Sequence, residues 1–168
     1  MSATTLAARS SGQRLRGLED IREGRALHHD FTNTLLILQG EDLPLWRPEE
    51  AGRRLACIAA PLDFTLFEYF LTDLVGHKAD PLRARQEVHK LGRFLYGLLE
   101  ETDLRETTVI LCSDHGNLED PSVRTHTQNP VPTMVWGPQA DAIARMVDSI
   151  ERIPQAVLKA LSRQDRLQ

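Results

Sequence analysis

The stretch TTVILCSDHGNLEDPSVRTHTQNPVP (107–132) decides how the rest of the chain is read. Its opening residues are apolar or β-branched, the composition of a buried strand. The run stops at Asp114-His115, and a second imidazole, His126, follows in a loop rich in Asn and Pro. A carboxylate and two imidazoles at and just beyond a strand end are donor types that hold divalent metal ions. An Asp-His pair taken alone could equally cap a turn. The reading therefore depends on what the neighbouring strand ends carry.

Working outward, DFTLFEYFLTD (63–73) is aromatic and β-branched, with apolar residues on both faces if extended. That predicts a second strand, covered on both sides. It ends at Asp73, with Gly76 and His77 just beyond. PTMVWG (132–137) reads as a third, shorter strand. Between the first two strands, Val88, Leu91, Leu95, Leu98 and Leu99 share one helical face, and Pro81 suits a first turn, so a helix is expected at about 80–102. Pro48, Glu49 and Glu50 open another at about 48–60, where negative charge suits the helix dipole. DAIARMVDSIERI (141–153) and PQAVLKALSRQ (154–164) read as helices separated by Pro154. Upstream, DFTNTLLILQG (30–40) is a short strand or a helical turn, and Arg9 to Asp30 reads as loops with one short helix.

Two-sided apolar strands alternating with helices predict a layered α/β/α domain with a largely parallel sheet. The 168 residues suit one domain, read as an irregular lead-in at 1–47 and an α/β core at 48–168. Hydrophobic residues at 41% and charged residues at 26% are those of a globular protein. A net charge of −4 argues against nucleic acid or an anionic membrane as partner. No apolar run approaches the ~20 residues that span a bilayer, and the N-terminus lacks the apolar core of a secretory signal, so a cytoplasmic location is expected. Cys57 and Cys112 sit in apolar surroundings, which predicts buried free thiols.

In an open α/β sheet, ligands gather beyond the carboxyl ends of the strands. Asp73 and His77 lie beyond one predicted strand, Asp114 and His115 beyond the next, and His126 before the third. Two divalent metals ~3.5–4 Å apart need about this many ligands and something more. Other candidates are weaker. His28-His29-Asp30 reads as locally hydrogen-bonded, His89 as structural, and Trp46 and Trp136 as packing residues. Ser10-Ser11-Gly12 follows no strand. No G-x-S-x-G, Walker or Rossmann glycine pattern is present.

CSDHGNLED (112–120) followed by THTQNPVP (125–132) resembles the C-terminal metal-binding motifs of the alkaline phosphatase superfamily. The similarity is to the metalloenzyme domain of cofactor-independent phosphoglycerate mutase and phosphopentomutase. FLTDLVGHK (70–78) resembles the Asp-x-x-x-His segment of the same branch. SATTLAARSSGQRLRGLEDIREGRALHHDFTN (2–33) resembles the middle of longer bacterial proteins of this type. The resemblance implies two ions side by side, Mn²⁺ or Zn²⁺. Asp73, His77 and His126 would hold one, Asp114 and His115 the other. It also implies that the second ion takes an Asp and a Ser or Thr nucleophile from an N-terminal half. Neither has a match here, so no catalytic nucleophile is assigned.

The resemblance therefore makes the chain a C-terminal portion lacking the N-terminal strands of its sheet, able to hold one ion fully. On that expectation it is weakly active or inactive alone, as part of a phosphomonoester hydrolase or phosphomutase acting on a phosphorylated small molecule. A separate N-terminal half, or self-association, would complete it. The alternative is a non-catalytic metal-binding or interaction module.

Overall fold

The computed structural model describes residues 3–12 and 14–162, which form two compact units. The first spans 1–75 and 82–102, and the second 76–81 and 103–168. Among the described residues, no helix is long and apolar enough to cross a membrane.

The first unit is helical. The lead-in carries α1 (Ala3–Ser10), α2 (Leu18–Arg22) and α3 (Thr34–Leu38), so the ambiguous run at 30–40 resolves as a helical turn. The predicted helix at 48–60 is α4 (Pro48–Ala59), with Pro48 at its start and Glu49 and Glu50 in the first turn. A later helix of this unit, Pro81–Glu101, is the one expected at 80–102. Phe94 and Gly97 are its buried residues, the predicted leucines are half-buried beside them, Leu91 and Leu98 against the core, and Val88 is exposed.

The two long helices meet through glycines. A Cβ at Gly52 would strike the Phe94 carbonyl, and one at Gly97 would strike the backbone of Glu49. Arg53 pairs with Glu100 at 2.6 Å, and Arg93 pairs with Glu49, at the same crossing. The core is aromatic. Phe31 stacks on Phe94 with centroids 4.2 Å apart, and on Tyr69 at 4.9 Å. Ile21, Leu43, Trp46, Ala51 and Leu55 complete it.

The strand predicted at 63–73 is not one. Residues 63–70 have no regular secondary structure, and α5 (Leu71–Gly76) begins where the strand was expected to continue. The cover expected on both of its faces is not found either. Phe67 and Tyr69 lie against the core, while Phe64, Leu66 and Phe70 are exposed. A strand needs a neighbour to take its backbone N–H and C=O groups. Among the described residues, the only sheet is a pair of strands elsewhere.

That pair belongs to the second unit. β1 (Val109–Cys112) and β2 (Thr133–Trp136) lie where two strands were predicted, but they run antiparallel, with Val109 opposite Trp136 and Cys112 opposite Thr133. This corrects the expected parallel sheet. A parallel pair needs a crossover, usually a helix. Residues 113–132 contain turns and one isolated bridge, so the chain simply doubles back. The strands are short and only partly buried, and Cys112 is exposed, as is Cys57 in the first unit, against the expectation of buried thiols.

α7 (Ala140–Ala144) packs on β2 and buries Ile143 completely. The helix predicted at 141–153 breaks after Ala144 and resumes as a 3₁₀ turn at Ile150–Arg152. α8 (Ile153–Leu161) then takes Pro154 into its own first turn instead of being cut by it. The last two residues of the predicted helix 154–164 lie outside the described residues.

With α5 placed, the long helix Pro81–Glu101 is α6.

Candidate metal centre

The candidate ligands are carried by one helix end and two loops. Asp73 sits in the first turn of α5, and His77 follows immediately after that helix ends at Gly76. The pair is spaced i, i+4 along continuous chain, the spacing that stacks side chains on one helical face. Beyond His77 the backbone turns at Ala79, which adopts the left-handed region (φ 51°) and donates its N–H to the Gly76 carbonyl at 2.9 Å. Gly76 is buried against Asn117, whose amide a Cβ there would strike. That close approach holds the His77 turn against the loop that follows β1.

His77 Nδ1 lies 2.7 Å from the backbone carbonyl of Arg124. A carbonyl only accepts, so the nitrogen donates, and the neutral ring carries its lone pair on Nε2. Metal-binding histidines are held in this way, one ring nitrogen anchored by an acceptor and the other turned to the ion. Arg124 is two residues from His126, and the His77 and His126 rings lie 5.2 Å apart between centroids.

His115 stacks on His126 with centroids 3.6 Å apart and planes inclined by 18°. Its Nδ1 approaches the Gly116 carbonyl at 3.3 Å, and its Nε2 lies 3.5 Å from Asp114 Oδ2. Asp114 and His115 therefore present an oxygen and a nitrogen side by side. Asp114, His115 and Asn129 line an open pocket of about 380 Å³, closed on its other sides by residues including Cys112, Thr133 and Ile153.

Two loops carrying three of these residues are bound directly to each other. The Thr127 N–H donates to the Gly116 carbonyl at 2.9 Å, forming an isolated antiparallel bridge. A Cβ at Gly116 would displace the Thr127 hydroxyl and the Glu119 carboxylate. Glu119 spans the same junction. It accepts from the Asn117 N–H at 2.7 Å, from the Thr127 hydroxyl, and from the Asn129 amide at 2.9 Å. The Thr127 hydroxyl, followed by the Asn129 amide, holds its carboxyl down to about 2, so it is a carboxylate at any ordinary pH. Sequence reasoning passed over Glu119. The available signal was the Thr and Asn donors flanking His126, eight and ten residues further on.

The other sequence candidates are occupied locally. Asp30 is buried in the first unit, where it accepts from the Thr32 hydroxyl at 2.7 Å and the Leu35 N–H at 2.8 Å. His28 accepts from the Asp30 N–H, and burial lowers the pKa of both His28 and His29. His89 is exposed on α6. Trp46 packs in the core beneath the Arg54 guanidinium, 4.4 Å above its ring.

A family model described as Metalloenzyme superfamily matches residues 53–164, a span that contains all five candidate ligands. Among curated proteins, the chain is 34% identical over 95 residues to a 2,3-bisphosphoglycerate-independent phosphoglycerate mutase of Methanopyrus kandleri, covering 56% of this chain and 22% of that protein. It is 30% identical over 97 residues to the enzyme of that name from Paracoccus denitrificans, covering 54% of this chain and 19% of the relative. Against that of Wolinella succinogenes it is 37% identical over 73 residues, covering 44% and 15%. The match thus spans about a fifth of the length of these relatives. No solved structure matches significantly.

Proposed function

This chain belongs to the Metalloenzyme superfamily, and on that premise we propose that it holds divalent metal for phosphoryl transfer on a phosphorylated small molecule. The reaction class is that of a phosphomutase or phosphomonoesterase. The observation that carries the reading is the gathering of three imidazoles in one unit, with His126 5.2 Å from His77 and 3.6 Å from His115 between ring centroids, and the His77 ring already anchored through Nδ1.

Asp73, His77 and His126 would hold one ion, and Asp114 with His115 would supply two donors to a second. One carboxylate with two imidazoles suits Zn²⁺ or Mn²⁺. A bound divalent ion supplies Lewis-acid polarisation of a phosphoryl oxygen and lowers the pKa of an attacking hydroxyl or water. The chain's own residues orient that chemistry. Arg124 fixes the His77 tautomer through its carbonyl, and Asp114 and His115 face the pocket that would admit the phosphate ester. No Ser or Thr in the sequence matches the expected nucleophile motif, so we propose metal uptake with weak or no turnover for this chain by itself.

The test is elemental analysis of the full chain after dialysis against Mn²⁺ or Zn²⁺, repeated with Asp73→Ala and His115→Ala. Uptake that Asp73→Ala abolishes supports the reading, and a wild-type chain that retains no ion overturns it. Rapid, saturable hydrolysis of a chromogenic phosphate ester by the chain alone, lost in Asp114→Ala, would overturn the weak-turnover part.

A further inference from the structure

We infer that Glu119 is a positioning residue of the metal centre, a carboxylate that sets the two ligand-bearing loops in register without touching the ion. The inference rests on the proposed metal-binding reading of those loops. Its basis is the connectivity around the carboxylate. One oxygen accepts from the Asn117 N–H, two residues after His115. The other accepts from the Thr127 hydroxyl, one residue after His126, and from the Asn129 amide. A single side chain therefore bonds to both strands of the Gly116–Thr127 junction, on the side where each strand has just delivered its imidazole.

Apolar burial does little to fix these loops. Residues 113–132 contain no helix and no strand of the sheet, and His126 and Thr125 are exposed. The first unit can rely on apolar packing, but here the described buried residues are Gly116 and Asn117 alone. The 3.6 Å stacking of His115 on His126 thus depends on polar contacts, and Glu119 makes three of them. Groups that orient metal ligands typically change metal affinity by about 10–100-fold when removed.

The experiment uses the full chain and its Glu119→Ala, Glu119→Gln and Thr127→Val variants. Mn²⁺ affinity is measured by calorimetry, the visible absorption of the Co²⁺-loaded protein by spectroscopy, and the melting of the metal-free chain by circular dichroism. Glu119→Ala is expected to weaken Mn²⁺ binding about tenfold or more and to shift the Co²⁺ spectrum. Glu119→Gln, which keeps one oxygen acceptor, should recover part of the loss. Thr127→Val deletes one donor with little change of shape, so it tests the clamp even if Glu119→Ala fails to fold, and it should weaken binding in the same direction. Wild-type affinity and spectrum in Glu119→Ala, or in Thr127→Val where the alanine variant is unfolded, would overturn the inference. His126→Ala separates the two readings. If it abolishes uptake while Glu119→Ala leaves uptake unchanged, the clamp fails and the metal centre stands. If the wild-type chain takes up no ion, the metal centre fails first.

Discussion

The two units solve the problem of holding a chain in place by opposite means. The first buries an aromatic core, with Phe31 fully covered and Phe94 stacked between it and Phe67. The Arg53–Glu100 pair lies at the surface of helices that packing already fixes. The second buries few apolar side chains, Ile143 and Ala156 among them, and secures its long loop by hydrogen bonds to Glu119 and by the Gly116–Thr127 bridge. Apolar packing is indifferent to direction, whereas hydrogen bonds fix distance and angle. The unit that carries most of the candidate ligands is the one held by directional contacts.

The contrast is broken most severely at Phe94. Phe94→Ala removes the centre of the aromatic stack and should cost about 3–5 kcal/mol in a urea titration. A loss below about 1 kcal/mol would mean that the core does not carry the first unit. His126→Ala should do the reverse. It should lower Mn²⁺ affinity by about 100-fold or more, beyond the effect of losing an orienting partner. As an exposed residue, it should leave the melting of the metal-free chain within about 0.5 kcal/mol of wild type. Gly97→Ala sharpens the picture of the helix crossing. The added methyl meets the Glu49 backbone, which cannot swing aside as a side chain can, so α4 and α6 must part at a cost of about 1–3 kcal/mol.

The smallest effect is one of pH. Asp20 is buried between Arg14 and Arg25. The Arg14 guanidinium, then the Gly17 N–H, hold its carboxyl well below the usual range. A depressed carboxyl stabilises the fold fully above its unfolded pKa of about 3.9 and loses that contribution as the pH falls toward the folded value. The melting temperature should therefore decline below about pH 4, and Asp20→Asn should flatten that decline. An unchanged acid limb in the variant would remove Asp20 from the account.

What could be read from the sequence was what is local. α4 and α6 were legible because each opens on a proline and carries a 3.6-residue period within the segment itself, α4 with first-turn acids as well. The run at 63–73 was misread because aromatic and β-branched composition reports a segment fit to lie against a core, not whether a neighbouring strand exists to accept the backbone. Phe67 and Tyr69 pack against the core, yet among the described residues this run joins no ladder. The direction of β2 against β1 was hidden for the same reason, since it depends on how residues 113–132 return. At the site, Asp114, His115 and His126 were conspicuous as donor types. Glu119 was not, because its meaning lies in a hydroxyl and an amide that the return of the loop brings to it.

The contact between His77 and the Arg124 carbonyl has an entropic consequence. With Nδ1 tethered to the backbone, the imidazole is restrained from swinging about its χ angles. An ion that engages this ring then immobilises little that is not already held, so less conformational freedom is given up on binding.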